Sequence, residues 1–361
     1  MRELDLIRYS LAAAASRSEA AVLCTVMAVA GSVYRGAGAR MVIAGIDTTG
    51  AVSGGCLEAD LVARAPDVIA SGRAELARYD TRISDDVVLG LGLGCQGIID
   101  VLIEPLAGAT LEDAIAFYDR LAKRRDTVTV ATLLRATDEV PVGTRVVLDA
   151  DGRIIEGDER LLTRSEDVAR EVIRPATPLV VCGAGTDAIP VVRLAKQMGW
   201  HVTVVDHRAA FVTATRFPDA DVLVCANLTN DDVSLASRIE IDERTMALVM
   251  AHAASHDRAY LHAMLDAKAS YIGVLGPRRR TMELLGDRAV DGNLPNAVHA
   301  PVGLDLGAES PDEIALAIIA EIAAVNAGRS GGMLRDHRGP IHDRSRANTV
   351  LDADAVVTRR P

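Results

Sequence analysis

Two of the five cysteines stand among glycines, in a setting where a thiol can bind or react. Cys56 follows Gly54 and Gly55 in SGGCLE, and Cys95 follows Gly94 in GLGLGCQG. The apolar residues that recur after Cys56 at helical spacing predict a helix that begins at this cysteine. At a helix N-terminus the backbone N–H groups lack partners and the dipole favours anions, so the pKa of a thiol falls there.

The residues around these thiols suit one class of ligand. Arg35 and Arg40, in YRGAGAR, can supply positive charge, and the glycines leave backbone N–H groups uncovered. Thiolates, N–H groups and guanidinium groups together fit a ligand that carries a soft metal or sulfur and an anionic group. Zinc is a competing ligand, but the sequence contains no C-x-x-C pair. The alternative is structural: glycines that serve turns and thiols that fill space.

The other cysteines, Cys24, Cys182 and Cys225, lie in strand-like apolar runs, where a thiol packs as a small hydrophobic group. A sparse and odd number of cysteines favours reduced thiols over a disulfide framework. We therefore expect these three to be structural.

A second candidate site is the turn GAGTDA, which joins an apolar strand to a helix. Gly183 and Gly185 permit a tight turn and the close approach of a phosphate, and the spacing predicts a Rossmann fold. Asp206 ends the next strand, where an acid would hold a ribose hydroxyl. Arg208 nearby leaves the choice between NAD and NADP open, and the same turn also occurs in domains that bind no nucleotide.

Two further groups follow later strands. His252 comes at the carboxyl end of a strand, where open α/β sheets carry their sites, although a histidine that caps a helix is the alternative. Arg278 and Arg279 stand in GVLGPRRR at a predicted helix start, where dipole and guanidinium groups favour an anion. The alternative there is a solvated arginine run.

The order of predicted elements indicates an α/β protein. A mixed, layered α/β domain comes first, and alternating strands and helices then predict a Rossmann-like parallel sheet. We predict an N-terminal domain over 1–157, a helical linker over 158–178, a Rossmann-like domain over 179–328 and a polar tail over 329–361.

The predicted N-terminal domain contains two segments of similar sequence. Residues 128–157 repeat the order of residues 23–55: a strand, a loop, a Gly-x-Arg strand and a glycine turn. In particular, GARMVI from residue 38 aligns with GTRVVL from residue 143. Either two β-hairpins resemble each other by chance or an αβ unit is duplicated. The second copy lacks the GGC sequence, so any thiol chemistry belongs to the first.

The charge and the apolar pattern of the sequence argue against several classes of function. The 361 residues carry a net charge of −11 without a basic face, which argues against nonspecific nucleic-acid binding. The first residues lack the form of a signal peptide, and no apolar run reaches the length of a membrane span. A soluble cytoplasmic protein is expected.

At these motifs the sequence resembles the XdhC/CoxI family of accessory proteins of xanthine dehydrogenase and carbon monoxide dehydrogenase. The resemblance rests on GSVYRGAGARMVI, GAVSGGCLEADLVARA, GLGLGCQGIIDVLIEPL, VVDHR, YIGVLGPRRR and APVGLDLGAESPDEIALAIIAEI, in this order. Three residues depart from the pattern: Tyr34, Gln96 and Pro277 stand where the family often has proline, glycine and serine. These departures affect the expected loop conformations and the identity of the ligand, but not the resemblance to the family.

The resemblance implies a chaperone for the molybdenum cofactor (molybdopterin), without turnover of its own. Such a protein holds the cofactor while a cysteine desulfurase supplies a sulfido ligand, and delivers it to the large subunit of an apo molybdenum hydroxylase. By analogy, the Rossmann turn could hold the phosphate or nucleotide end. A homodimer is expected. The pocket near the molybdenum would be lined by Cys56, Cys95, Arg35, Arg40, Gly54, Gly55 and Gly94.

Two other functions fit the residues. The first is an NAD(P)-dependent oxidoreductase that uses Gly183, Gly185 and Asp206, with a thiol or His252 as the acid–base group. The second is a redox regulator in which Cys56 and Cys95 form a switch disulfide.

Overall fold

The computed structural model describes residues 3–80, 96–137, 140–163, 167–229 and 234–338. Within these ranges the chain divides after Pro175 into two compact units, called here the N-terminal unit and the C-terminal unit. None of the described helices combines the length and apolar composition that a bilayer crossing requires.

The first half of the N-terminal unit is an antiparallel sheet with two helices. Its strands follow the order β3-β2-β1-β5-β4. The elements are α1 (Glu3–Ser16), β1 (Ala21–Ser32), β2 (Arg40–Ala44), β3 (Asp47–Gly50), α2 (Glu58–Ser71), β4 (Glu75–Asp80) and β5 (Gln96–Leu106).

The second half repeats this plan with fewer elements. Its antiparallel sheet has the order β8-β7-β6-β9, the same as β3-β2-β1-β5 of the first half. The elements are α3 (Ala109–Lys123), β6 (Val128–Leu133), β7 (Arg145–Leu148), β8 (Ile154–Gly157) and β9 (Val168–Ile173).

The register of the two sheets supports duplication over chance similarity of hairpins. Thr25 pairs with Arg40 in the first sheet, and Thr132 pairs with Arg145 in the second. The long-range strand pairs agree as well, with Glu104 opposite Leu23 on β1 and Glu171 at the equivalent place opposite β6. Chance similarity of two hairpins would not produce the matching pairings of β1 with β5 and of β6 with β9. The repeat is therefore present in tertiary structure as well as in sequence.

One core joins the two halves. Apolar side chains of α1, among them Ile7 and Leu11, pack with Tyr118 and Leu121 of α3 against residues of both sheets. Helix α2 instead covers the other face of the first sheet, where Leu61 is fully buried. Among the described residues the second half has no counterpart of α2 or of β4, so the two halves differ in size.

Two buried ion pairs cross between the halves. Arg40 of the first half binds Glu171 of the second, with 3.0 Å between Nη1 and Oε1, and Arg145 of the second binds Glu104 of the first. Burial alone would lower the pKa of Arg40, but the adjacent charge of Glu171 raises it. Gly38 makes room for the first pair, because a Cβ there would lie 2.7 Å from a carboxylate oxygen of Glu171.

The segment between the units differs from the prediction. Residues 158–178 were expected to form a helical linker, but they contain a 3-10 turn (Glu159–Thr163) and the strand β9, which belongs to the N-terminal unit. Pairing with β6 along its whole length overrides the helix propensity of VAREVI. The N-terminal unit therefore extends to Pro175, beyond the predicted limit of residue 157.

The C-terminal unit has the predicted Rossmann-like fold. Six parallel strands follow the order β12-β11-β10-β13-β14-β15, with α4 and α7 packed on one face and α5 and α6 on the other. The elements are β10 (Pro178–Cys182), α4 (Ala188–Gln197), β11 (His201–Asp206), β12 (Val222–Cys225), β13 (Met246–Val249), α5 (Ala254–Asp266), β14 (Tyr271–Val274), α6 (Arg278–Leu285), β15 (Val298–His299) and α7 (Pro311–Asn326).

Candidate functional site

The loop that carries Cys56 is built around one hydroxyl group. Ser53 Oγ accepts hydrogen bonds from the backbone N–H groups of Gly55, Cys56 and Leu57, each at 3.1 Å. The same hydroxyl donates to Glu58 Oε2 at 2.5 Å, and Glu58 also accepts the N–H of Ser53 at 2.8 Å. This closed network holds residues 53–58 in one conformation before α2 begins at Glu58.

The network corrects two expectations about the loop. The helix begins two residues after Cys56, and the N–H groups of Gly55 and Cys56 face the Ser53 hydroxyl rather than an open cavity. Burial alone would raise the pKa of Glu58, but hydrogen bonds from Ser53 and from backbone N–H groups lower it, so this carboxylate stays charged. The loop thus presents a thiol on a rigid turn, without free N–H groups from those two residues.

The Cys56 thiol is accessible. Its side chain is half-buried, and its sulfur lies 3.4 Å from Ser53 Oγ. The glycine before it has a φ of +110°, and a Cβ built there would meet nothing within 4 Å. Gly55 thus supplies a backbone conformation rather than relief from crowding.

The two predicted arginines of this site have different surroundings. Arg35 is half-exposed and its guanidinium binds Glu3 of α1 at 2.8 Å. Arg40 is 5% exposed, and its guanidinium binds Glu171 and the carbonyl of Gly38. The guanidinium of Arg40 is therefore engaged within the protein, and its role as a ligand stays a prediction.

Cys95 and Gly94 lie outside the described residues. The described chain resumes at Gln96, whose backbone pairs with Ser32 at the end of β1. Two residues after Ser32, the ring of Tyr34 lies against Gly54 of the thiol loop, where a Cβ would stand 3.5 Å from the ring. Tyr34 was not among the predicted site residues, because an isolated tyrosine in a loop carries no spacing signal.

The Rossmann turn has the expected position at the carboxyl end of β10. Gly183 has a φ of +126° and lies so close to the chain after β13 that a Cβ would stand 2.5 Å from the carbonyl of Met250. Gly185 has no such backbone constraint, since a Cβ there would meet side chains alone, Asp187 Oδ1 at 2.5 Å and His252 Cδ2 at 3.9 Å. The first glycine is therefore required by the fold itself, with or without a nucleotide.

In this structure the carboxylate of Asp206, predicted to bind a ribose, makes its hydrogen bonds within the protein. It is fully buried and accepts the N–H of Ala184 at 2.7 Å and the guanidinium of Arg208 at 2.8–2.9 Å. Burial alone would raise the pKa of Asp206, but these hydrogen bonds lower it to about 2. A carboxylate whose oxygens already hold the turn and Arg208 offers little to a ribose hydroxyl.

Asp206→Asn should make the stability of the C-terminal unit less dependent on pH in the acidic range. The folded pKa of about 2 lies below the unfolded value of about 3.9, so the charged group stabilises the fold above about pH 4, and this contribution is lost as the pH falls toward 2. We expect the wild type to exceed the variant by roughly 2 kcal/mol at pH 6, with the difference vanishing near pH 2. Urea denaturation monitored by the fluorescence of Trp200 measures it. A difference independent of pH would refute the role assigned to this carboxylate.

The other predicted residues of the C-terminal unit lie at the same edge of the sheet or on α6. His252 has a left-handed φ of +60° and an exposed side chain whose Nε2 lies 2.6 Å from Asp187. A nearby pair, His207 and His256, stacks with ring centroids 3.7 Å apart. Burial and the neighbouring imidazole lower the pKa of His207. Arg278 and Arg279 are exposed at the start of α6.

The cysteines differ from the prediction at one position. Cys24 and Cys182 are buried, and burial together with nearby carboxylates raises the pKa of Cys24 to about 12. Cys225 is exposed, and its sulfur lies 3.8 Å from the carbonyl of His207. It ends β12, which is the edge strand of the sheet as described here, so the expectation of a buried structural thiol was wrong there.

Comparison with known proteins places the chain in a family. Residues 14–80 match the model of the XdhC and CoxI family, and residues 179–322 match that of the XdhC Rossmann domain. A Bacillus subtilis (strain 168) protein, named as a probable subunit of xanthine dehydrogenase, is 31% identical over 323 residues, which cover 84% of this chain and 92% of that protein. The chain belongs to the XdhC and CoxI family.

Two further relatives extend this XdhC-type assignment along the chain. The "Molybdenum cofactor insertion chaperone PaoD" of Escherichia coli (strain K12) is 25% identical over 89% of this chain and 87% of its own. A crystal structure from Bacillus halodurans, described as a xanthine dehydrogenase, is 27% identical with a TM-score of 0.75, and the match covers 92% of this chain and 98% of that one.

The two XdhC matches coincide with the two candidate sites. The first contains the loop of residues 53–58 that carries Cys56. The second contains the Rossmann turn and the histidines His207, His252 and His256. Within the described ranges of this XdhC-type chain, no three His, Cys, Asp or Glu side chains come together in a way that could hold a metal ion.

Proposed function

We propose that this protein is an accessory chaperone that binds the molybdenum cofactor and inserts it into a molybdenum hydroxylase of the xanthine dehydrogenase type. The relative named as a molybdenum cofactor insertion chaperone supports the role, since the match covers most of both chains. The cofactor is cargo, taken up and released, rather than a resident group. We further propose a homodimer in the cytoplasm that receives the sulfido ligand from a cysteine desulfurase.

The observation that carries the proposal is the accessible thiol on a rigid loop. Cys56 is held by the Ser53 network, and its side chain is half-buried, so part of it remains accessible to solvent. Thiolate is a soft ligand suited to molybdenum and to sulfur chemistry, and a rigid loop lowers the entropy lost when a ligand binds. We propose that Cys95 acts beside it, and that Arg35 contributes charge at the rim.

A nicotinamide dinucleotide is supported less well. The acid expected to bind its ribose, Asp206, is buried and occupied, and the Asp187 carboxylate lies beside the glycine turn where a phosphate would bind. A negative charge there opposes a second one. We therefore place the cargo's soft end at the N-terminal unit and assign no hydride chemistry to the C-terminal unit.

Cys56→Ser should weaken binding of the molybdenum cofactor. Serine keeps the loop's shape but replaces a soft ligand with a hard one, so we expect a loss of at least about tenfold in affinity, or roughly 1.4 kcal/mol. Cofactor released anaerobically from a molybdoenzyme is mixed with protein, and bound molybdenum is measured after ultrafiltration. Transfer to an apo-hydroxylase is measured in parallel.

Cys225→Ser is the matched control, because Cys225 is an exposed free thiol in the other unit. It should bind cofactor like the wild type. If Cys56→Ser and Cys225→Ser both bind normally, the thiol loop is not the site. If the wild type binds no cofactor at all, the chaperone function itself fails.

A further inference from the structure

Tyr34 is exposed to a degree that needs an explanation. Its side chain is 73% exposed, more than that of any other of the six tyrosines. Its hydroxyl makes no hydrogen bond to any described residue, whereas Tyr79, Tyr260 and Tyr271 bind Asp60, the carbonyl of Ala226 and Glu321. A large ring left in water forgoes the stabilisation that burial would give. Neither packing nor hydrogen bonding within the described structure accounts for this residue.

The ring has a fixed support. It lies against Gly54, where a Cβ would stand 3.5 Å from the ring. Gly54 in turn belongs to the loop held by Ser53. On its other side, the segment after Tyr34 is tied to β1 by a hydrogen bond from the N–H of Gly38 to the carbonyl of Val26, at 2.8 Å. One side of the ring is thus supported while most of it faces solvent.

The neighbours of the ring match the chemistry of the proposed cargo. Two residues beyond Gly54 lies the accessible Cys56 thiol, and the residue after Tyr34 is the half-exposed Arg35. A supported aromatic face next to a soft ligand suits a molecule that has a planar heterocycle beside a metal–sulfur end. Molybdopterin has this combination, because the aminopyrimidinone ring of its pterin is planar and its dithiolene sulfurs bind the metal.

We propose that Tyr34 is a stacking platform for the pterin ring of the bound cofactor. This inference rests on the proposed function and adds to it a binding residue that determines which cargo fits. The ring of Tyr34 contacts the face of the heterocycle, while Cys56 contacts its metal–sulfur end. The phenol hydroxyl takes no part, so the aromatic face alone carries the effect.

Tyr34→Ala should weaken binding of the intact cofactor roughly tenfold, whereas Tyr34→Phe should stay within about twofold of the wild type. Bound molybdenum after anaerobic ultrafiltration gives the affinities. A second probe, 6-carboxypterin, lacks the metal and sulfurs, so its fluorescence quenching reports the ring contact alone. Tyr34→Ala should reduce this quenching, and Cys56→Ser should leave it unchanged. Tyr9→Ala, which removes an exposed tyrosine of α1, is the matched control and should change neither readout.

The outcomes separate this inference from the proposed function. If the wild type binds cofactor and Tyr34→Ala binds equally well, stacking is refuted while the chaperone function stands. If Tyr34→Phe loses as much affinity as Tyr34→Ala, the hydroxyl rather than the ring is responsible, and the inference is again wrong. If the wild type binds no cofactor, both proposals fall together.

Discussion

Glu171→Gln is expected to destabilise the N-terminal unit by about 3–5 kcal/mol, because it leaves the Arg40 guanidinium buried without a counter-charge. Arg40 is 5% exposed, and one of its nitrogens, Nε, already lacks a hydrogen-bond partner among the described residues. A guanidinium cannot escape the penalty by losing its proton, since its pKa is too high. Urea denaturation followed by far-UV circular dichroism measures the change.

The chain offers two controls for this experiment. The single tryptophan, Trp200, is buried in the C-terminal unit, so its fluorescence transition should not move. The double variant Arg40→Met, Glu171→Leu removes both charges and should recover most of the loss. Glu104→Gln should cost less than Glu171→Gln, because the side chain of its partner Arg145 is 21% exposed. A loss below about 1 kcal/mol for Glu171→Gln would show that the pair is not needed for stability.

Gly183→Ala should destabilise the C-terminal unit by at least about 3 kcal/mol. The new Cβ would stand 2.5 Å from both the carbonyl carbon and the oxygen of Met250, and backbone atoms of β13's continuation cannot rotate away. The φ of +126° adds strain for any residue with a side chain. The fluorescence transition of Trp200 in urea reports this loss.

Gly185→Ala is the matched control for this glycine. It lies in the same turn, but its Cβ would meet side chains rather than backbone: Asp187 Oδ1 at 2.5 Å and His252 Cδ2 at 3.9 Å, an exposed pair that can shift. We expect it to cost under about 1 kcal/mol. Equal losses at the two positions would contradict the view that contact with the Met250 backbone fixes the first glycine.

The sequence allowed prediction wherever the signal was local or periodic. The Gly-x-Gly turn and the apolar strands predicted the parallel sheet of the C-terminal unit, which is confirmed. The echo between residues 38–43 and 143–148 predicted a possible duplication, and the strand registers support it. These features can be predicted from nearby residues, because each strand or turn has a characteristic spacing of apolar residues or glycines.

Local spacing could not predict the contacts between distant residues. Arg40 looked like a ligand because Glu171, its partner, lies 131 positions later in the chain. Asp206 looked available because nothing in its local sequence shows that Ala184 and Arg208 occupy its oxygens. The three backbone bonds to Ser53 depend on a loop conformation that glycine-rich sequence leaves open. Side-chain partnerships of this kind follow from tertiary structure rather than from spacing.

The exchanged ion pairs have a consequence for how this protein could have arisen. Each repeat neutralises charges of the other. A shorter polypeptide with one repeat would therefore hold an arginine without its acid and an acid without its arginine. Two such polypeptides related by a twofold axis would satisfy both needs reciprocally. Gene fusion would place that symmetric partnership inside one chain. One half could then lose its SGGC loop and still supply the charges that the other half needs.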